Sequence, residues 1–221
     1  MRKITLKKNK WADITLAEYA RIMEIASDTD LSDAEKDVAV IALLAGVPED
    51  DVWNLPLDEI KMLKIELFFL SSEFDYPKTL NFKRIKIGDW DCEVLPDLNK
   101  MSYAQFVDYQ TYIKELDFDG ISPKKKAEVL SVFFIPRGYK YNDGYDMLEL
   151  QRAIRENVSI LVYNSVWFFF LQKSRHLLDS TATSSASRMK AMSMLMSRKN
   201  PLKEKLRHLA GMIKEYPHLI G

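Results

Sequence analysis

Apolar residues recur at spacings of three and four along most of the chain, which is the period of a helix buried on one side. Leu57, Ile60, Leu63, Leu67, Leu70 and Phe74 form the clearest such stripe and predict a helix over 57–74, with Pro56 suited to its first turn. Leu16, Tyr19, Met23 and Ala26 predict another near 16–26. Three pairs match the capping box, in which a hydroxyl and a carboxylate or amide satisfy the first backbone N–H groups of a helix: Thr15 with Glu18, Ser32 with Glu35, and Ser102 with Gln105. The second of these opens a helix near 33–45, stopped by Gly46, whose freedom to turn left-handed suits a helix end. Further helices are predicted near 103–116 and 123–134, the latter opened by Ser122 and Pro123 and closed by Pro136, and helical sequence runs from about 145 to 178. Only between these blocks does the period change. Leu80, Phe82, Ile85 and Ile87 alternate, Gly88-Asp89 can turn, and Trp90, Cys92 and Val94 alternate on the return, which reads as one β-hairpin. Asn142-Asp143-Gly144 is turn chemistry within a loop.

The greasiest stretch is "VYNSVWFFFLQK", residues 162–173. Its apolar run covers about fourteen residues, Val158 to Leu171, and is interrupted by Ser159, Asn164 and Ser165. A bilayer span needs about twenty, so a membrane anchor is not expected. A helix apolar on nearly all faces is normally the buried centre of a bundle; Trp167 and Phe168 to Phe170 serve instead as a protein contact if the bundle leaves them exposed.

These elements predict a mainly α fold, a helical bundle of about seven to nine helices with one small β-hairpin between two helical halves. The expected division is an N-terminal helical half over 1–78, the hairpin insert over 79–97, a C-terminal helical half with a buried central helix over 98–179, and a basic, Met-rich helical tail over 180–221. The halves share a helix order: "ITLAEYARIMEI" is echoed by "MSYAQFVDYQTY" and "LFFL" by "WFFFL". At 221 residues, with 47% apolar and 29% charged residues, the chain can bury a sizeable core, and its 7 Gly and 8 Pro argue against a turn-dense all-β fold. A single cysteine, Cys92, excludes an internal disulfide and fits a reducing compartment. The basic N-terminus lacks the apolar stretch of a secretory signal.

Net charge is zero but unevenly spread. Residues 1–10 carry +5 and residues 173–221 carry +7, leaving −12 on residues 11–172. Cationic ends around an acidic body read either as solvated surface or as contacts to acidic partners or nucleic acid. In the tail, "STATSSAS" at 180–187 reads as a hinge or a poorly favoured helix segment, ahead of a methionine-rich basic run. Methionine suits surfaces that adapt to several packings. Arg188, Lys190, Met192, Met194, Met196, Arg198, Lys199, Lys203, Lys205 and Arg207 are therefore the candidate contacts to a protein partner or to DNA. The other reading of this region is an ordinary amphipathic helix pair broken at Pro201. With Tyr216 as its only aromatic, any nucleic-acid binding there would be electrostatic and salt-sensitive.

Reactive chemistry is hard to find. His176, His208 and His218 have no Cys, Asp or Glu at zinc-ligand spacing. Phosphate-cradling glycine loops, HExxH and nucleophile-elbow motifs are absent. "DFDG" at 117–120 and "NDG" at 142–144 lack the later bidentate Glu of a calcium loop and read as turns. Glu49, Asp50 and Asp51 open a short helix, where the dipole favours negative charge. No catalytic residue, metal site or cofactor is expected, and the chain is not expected to be an enzyme.

Several stretches resemble a family of small helical proteins encoded in the structural and tail regions of tailed bacteriophages, including crAss-like gut phages. They are "WADITLAEYARIMEI", "IALLAGVPEDDVWNLPLDEIKMLKIELFFL", "FKRIKIGDWDCEV", "MSYAQFVDYQTYIKE" and "VLSVFFIPRGYKY", together covering about residues 11–172. The resemblance implies a non-enzymatic virion protein, either internal cargo or a head–tail structural component. Such a protein is made in the host cytoplasm and located in the head or tail interior of the virion. Its implied partners are other virion proteins such as portal, tail or ring subunits, in multiple copies, and packaged DNA bound without sequence preference. Two alternatives are a tail assembly chaperone not retained in the particle and a host-directed regulator delivered at infection. The long basic tail departs from a short tail chaperone and favours the virion component.

Overall fold

Ser32 accepts from the Glu35 backbone N–H at 3.4 Å while the Glu35 carboxylate accepts from the Ser32 N–H at 2.7 Å, so one of the expected capping boxes is formed as read. It opens α2, Asp33–Ala45, which Gly46 ends at φ 67° with its N–H donating to the Ala42 carbonyl at 2.8 Å. The computed structural model describes residues 4–72, 82–95, 100–114 and 122–179. Among them are eight α-helices and a three-stranded antiparallel sheet, so the protein is mainly α. The described residues divide into two compact units, 4–14 with 18–72, and 15–17 with 82–95, 100–114 and 122–179.

The first unit holds most of α1, Leu16–Ser27, with α2, the short α3, Glu49–Trp53, and α4, Leu57–Glu66. Its core includes Ile22, Ile25, Val40, Ile41, Leu44, Val52, Leu63, Leu67 and Leu70. Trp11 is buried here, edge-on to Tyr19 at 6.2 Å and to Phe69 at 5.5 Å between ring centroids. Lys64 pairs with the buried Asp37 at 2.6 Å and ties α4 to α2. The helix expected over 57–74 is shorter: α4 ends at Glu66, and Leu67–Ser71 tighten into a 3₁₀ turn. Leu63, Leu67 and Leu70 are buried as the stripe requires, but Leu57 is 68% exposed, and Phe74 lies outside the described residues.

In the second unit the hairpin forms from β1, Arg84–Ile87, and β2, Trp90–Val94, with Gly88-Asp89 as its turn and Gly88 at φ 57°. Ile87, Cys92 and Val94 point into the core, as the alternation requires. The hairpin lies between helical segments in sequence, as expected, and gains one strand more. A third strand, β3, Phe134–Pro136, pairs antiparallel with β2, placing Cys92 opposite Pro136 and Val94 opposite Phe134. This corrects the helix expected through residue 134. Helix α6, Pro123–Ser131, stops where an aromatic and β-branched run begins, and such residues pack well on a pleated surface. Pro136 has no N–H for the ladder; the flanking bonds, Arg137 N–H to Asp91 at 2.8 Å and Leu95 N–H to Phe133 at 2.9 Å, hold the edge instead.

Around this sheet lie α5, Tyr103–Lys114, α6, α7, Met147–Asn157, and α8, Ile160–Asp179. Asp146 caps α7, accepting from Leu148 and Glu149 N–H, and the Asn142-Gly144 turn carries positive φ at both ends, 54° and 81°. The continuous helix expected from 145 to 178 is instead broken. Val158 is extended, its carbonyl accepts from Leu16 N–H at 3.0 Å, and the Ser159 hydroxyl then accepts from Val162 N–H at 3.3 Å to begin α8. The aromatic run of α8 is buried on one side rather than all round. Tyr163, Ser165 and Val166 are buried, whereas Trp167, Phe168 and Phe169 are half-buried.

Candidate interaction surface

All ten tail residues named as contacts, from Arg188 to Arg207, lie outside the described residues, as do His208 and His218. Within the described part, the second unit has the larger polar cluster. The Tyr141 hydroxyl donates to Asp108 Oδ2 at 2.8 Å, and Gln151 Nε2 donates to Ser131 Oγ at 3.2 Å, whose hydroxyl donates to the Glu128 carbonyl at 2.7 Å. Burial, with Asp108 beside them, pushes the Tyr141 and Tyr112 phenols up, so both stay protonated at neutral pH. These groups brace α5, α6, α7 and the loop before α7.

Lys126 is different. Its ammonium sits 5.3 Å from the centre of the Tyr163 ring, which stacks on Trp167 at 6.1 Å and 11°. Burial pushes Lys126 down to about 8. The aromatic pair offers it a π face.

The first unit carries the more distinctive surface. Helix α4 is apolar on two faces. Leu63 points into the core, while Leu57, Met62 and Ile65 are 68%, 62% and 45% exposed, and Phe68 in the following turn and Trp53 at the end of α3 are 57% and 51% exposed. Large exposed apolar side chains grouped on one element mark contact sites more often than scattered ones do. By helical spacing Met62 is flanked by Ile65, by Asp58, and by Glu59 and Glu66. Among the described residues Glu59, Glu66, Glu49, Asp50 and Asp51 have no ion-pair partner, whereas Asp58 is paired with Lys61 at 3.4 Å. A smaller apolar group, Tyr103, Phe106 and Val107, is exposed on α5.

The sequence reading missed the outer face of α4 because it followed a single stripe. The signal was present: over 57–70 there are nine apolar residues, more than one buried stripe can use. Among the described residues no helix is long and apolar enough to cross a membrane, and no group of three or more His, Cys, Asp or Glu is placed to hold a metal ion. Comparison of the chain with protein-family models, with curated proteins and with solved structures finds no match.

Proposed function

We propose that the protein is a non-enzymatic component of a tailed-phage particle, held in the head or tail interior by protein–protein contacts. The observation that carries the contact mode is the outward apolar face of α4, with Trp53, Leu57, Met62, Ile65 and Phe68 exposed beside the carboxylates Glu59 and Glu66, which have no ion-pair partner among the described residues. The phage setting is supported by the stretches that resemble structural and tail-region phage proteins. On this reading, neighbouring portal, tail or ring subunits cover that apolar face in the particle.

Quantitative mass spectrometry of purified particles tests it. Stoichiometric copies that survive nuclease and salt washing are expected. Abundance in infected cells with absence from particles would replace this reading with that of an assembly chaperone.

A further inference from the structure

The apolar face of α4 is rimmed with acid, and the same chain carries a segment of opposite character. Residues 202–214, "LKEKLRHLAGMIK", space Leu202, Leu206, Leu209 and Ile213 at i, i+4, i+7 and i+11, the spacing that aligns side chains along one helical stripe. Lys203, Lys205 and Arg207 stand between them and Lys214 follows, against the single acid Glu204. We propose that the outward face of α4 is the docking site of this segment of the same molecule. The proposal rests on reading that face as a contact surface and names what first occupies it.

Charge favours this occupant. Met62 lies between carboxylates on both sides, and Glu59 and Glu66 have no ion-pair partner among the described residues, so a basic apolar segment finds both its stripe and its countercharges on one helix. Nucleic acid, by contrast, is repelled by the same rim. Reach is no obstacle. The 22 residues from Ser180 to Pro201 can span roughly 70 Å when fully extended, several times the roughly 15 Å length of the ten-residue α4. Tethering then favours the same molecule over a second copy, because a linked segment is present at an effective concentration near the millimolar range. Docking of this kind keeps apolar surface covered until a particle subunit displaces the segment.

The test uses the full chain with Ile65→p-benzoyl-phenylalanine, irradiated at submicromolar concentration and digested for mass spectrometry. Cross-links into residues 202–214 in a species of monomer mass are expected. The triple change Lys203→Glu, Lys205→Glu and Arg207→Glu should lower their yield at least fivefold, and adding Glu59→Lys and Glu66→Lys should restore it. Cross-links confined to a dimer-mass species, or directed to another segment, overturn the proposal, as does a yield indifferent to charge reversal. An unchanged melting temperature in each variant confirms that the face, and not the fold, has been altered. Particle incorporation is measured separately, so loss of the virion reading leaves this result standing or falling by itself.

Discussion

Gln105 does two jobs with its side chain and a third with its backbone. Its Oε1 accepts from Ser102 N–H at 2.9 Å, its own N–H donates to Ser102 Oγ at 3.2 Å, and its Nε2 donates to the Val132 carbonyl at 2.9 Å in a buried setting. The cap was legible in "SYAQ" because both partners lie within one turn. The bond to Val132 was not, since its acceptor is 27 residues away. Gln105→Ala should therefore cost more than a cap, about 2–3 kcal/mol in urea unfolding, from the cap and from a buried carbonyl left unpaired. A loss below about 1 kcal/mol would mean the carbonyl finds water. Lys126 gives a pH-dependent counterpart. Its folded value of about 8 lies below its ordinary 10.5, so the unfolded chain holds the proton more tightly. Below pH 8 both states are charged and folding carries the full cost of burying the ammonium. Between 8 and 10.5 the folded protein sheds the proton first, and stability rises with pH. Lys126→Met should accordingly stabilise the protein at pH 7, with an advantage that shrinks by pH 10; urea midpoints at the two pH values measure it, and a constant difference would refute the burial account.

The helices were found from periodicity, yet periodicity ranked the faces of α4 wrongly and overran two helix ends. Leu57 belongs to the stripe by spacing and to the exposed face by environment, because a stripe says which residues align and not what covers them. The break at Val158–Ser159 needed knowledge of Leu16, whose N–H takes the Val158 carbonyl from far along the chain. Likewise, Phe134–Pro136 became a strand because β2 offered an edge, a tertiary fact that local preference does not contain. These two faces of α4 make opposite predictions. Leu63→Ala removes a side chain that is 4% exposed and should cost about 2–5 kcal/mol. Met62→Gln, one residue earlier and 62% exposed, should change stability by no more than about 0.5 kcal/mol while lowering partner capture. Equal losses in chemical denaturation would show that Met62 is packed, and would remove the contact surface.

Fold class could be read directly, since it follows from composition and spacing. The division of the chain could not, because residues 15–17 join the second unit through a pairing at Ser159 and the hairpin gains a strand from beyond α6. Cys92 lies where the hairpin meets that added strand. It sits in the central strand opposite Pro136, is fully buried, and its thiol is pushed up to about 12 by burial with Asp91 adjacent. Thiol reagents attack the thiolate, which such a value makes scarce at pH 8, and enclosure blocks the little that forms. Modification of Cys92 in native protein should therefore be slow and should accelerate with urea in step with the unfolding transition of the second unit. The sheet must open before the sulfur is reached, so the labelling rate reports the free energy of that opening. Rapid stoichiometric labelling without denaturant would show that β3 parts from β2 independently, and that the sheet is a loose edge rather than the closed floor of this unit.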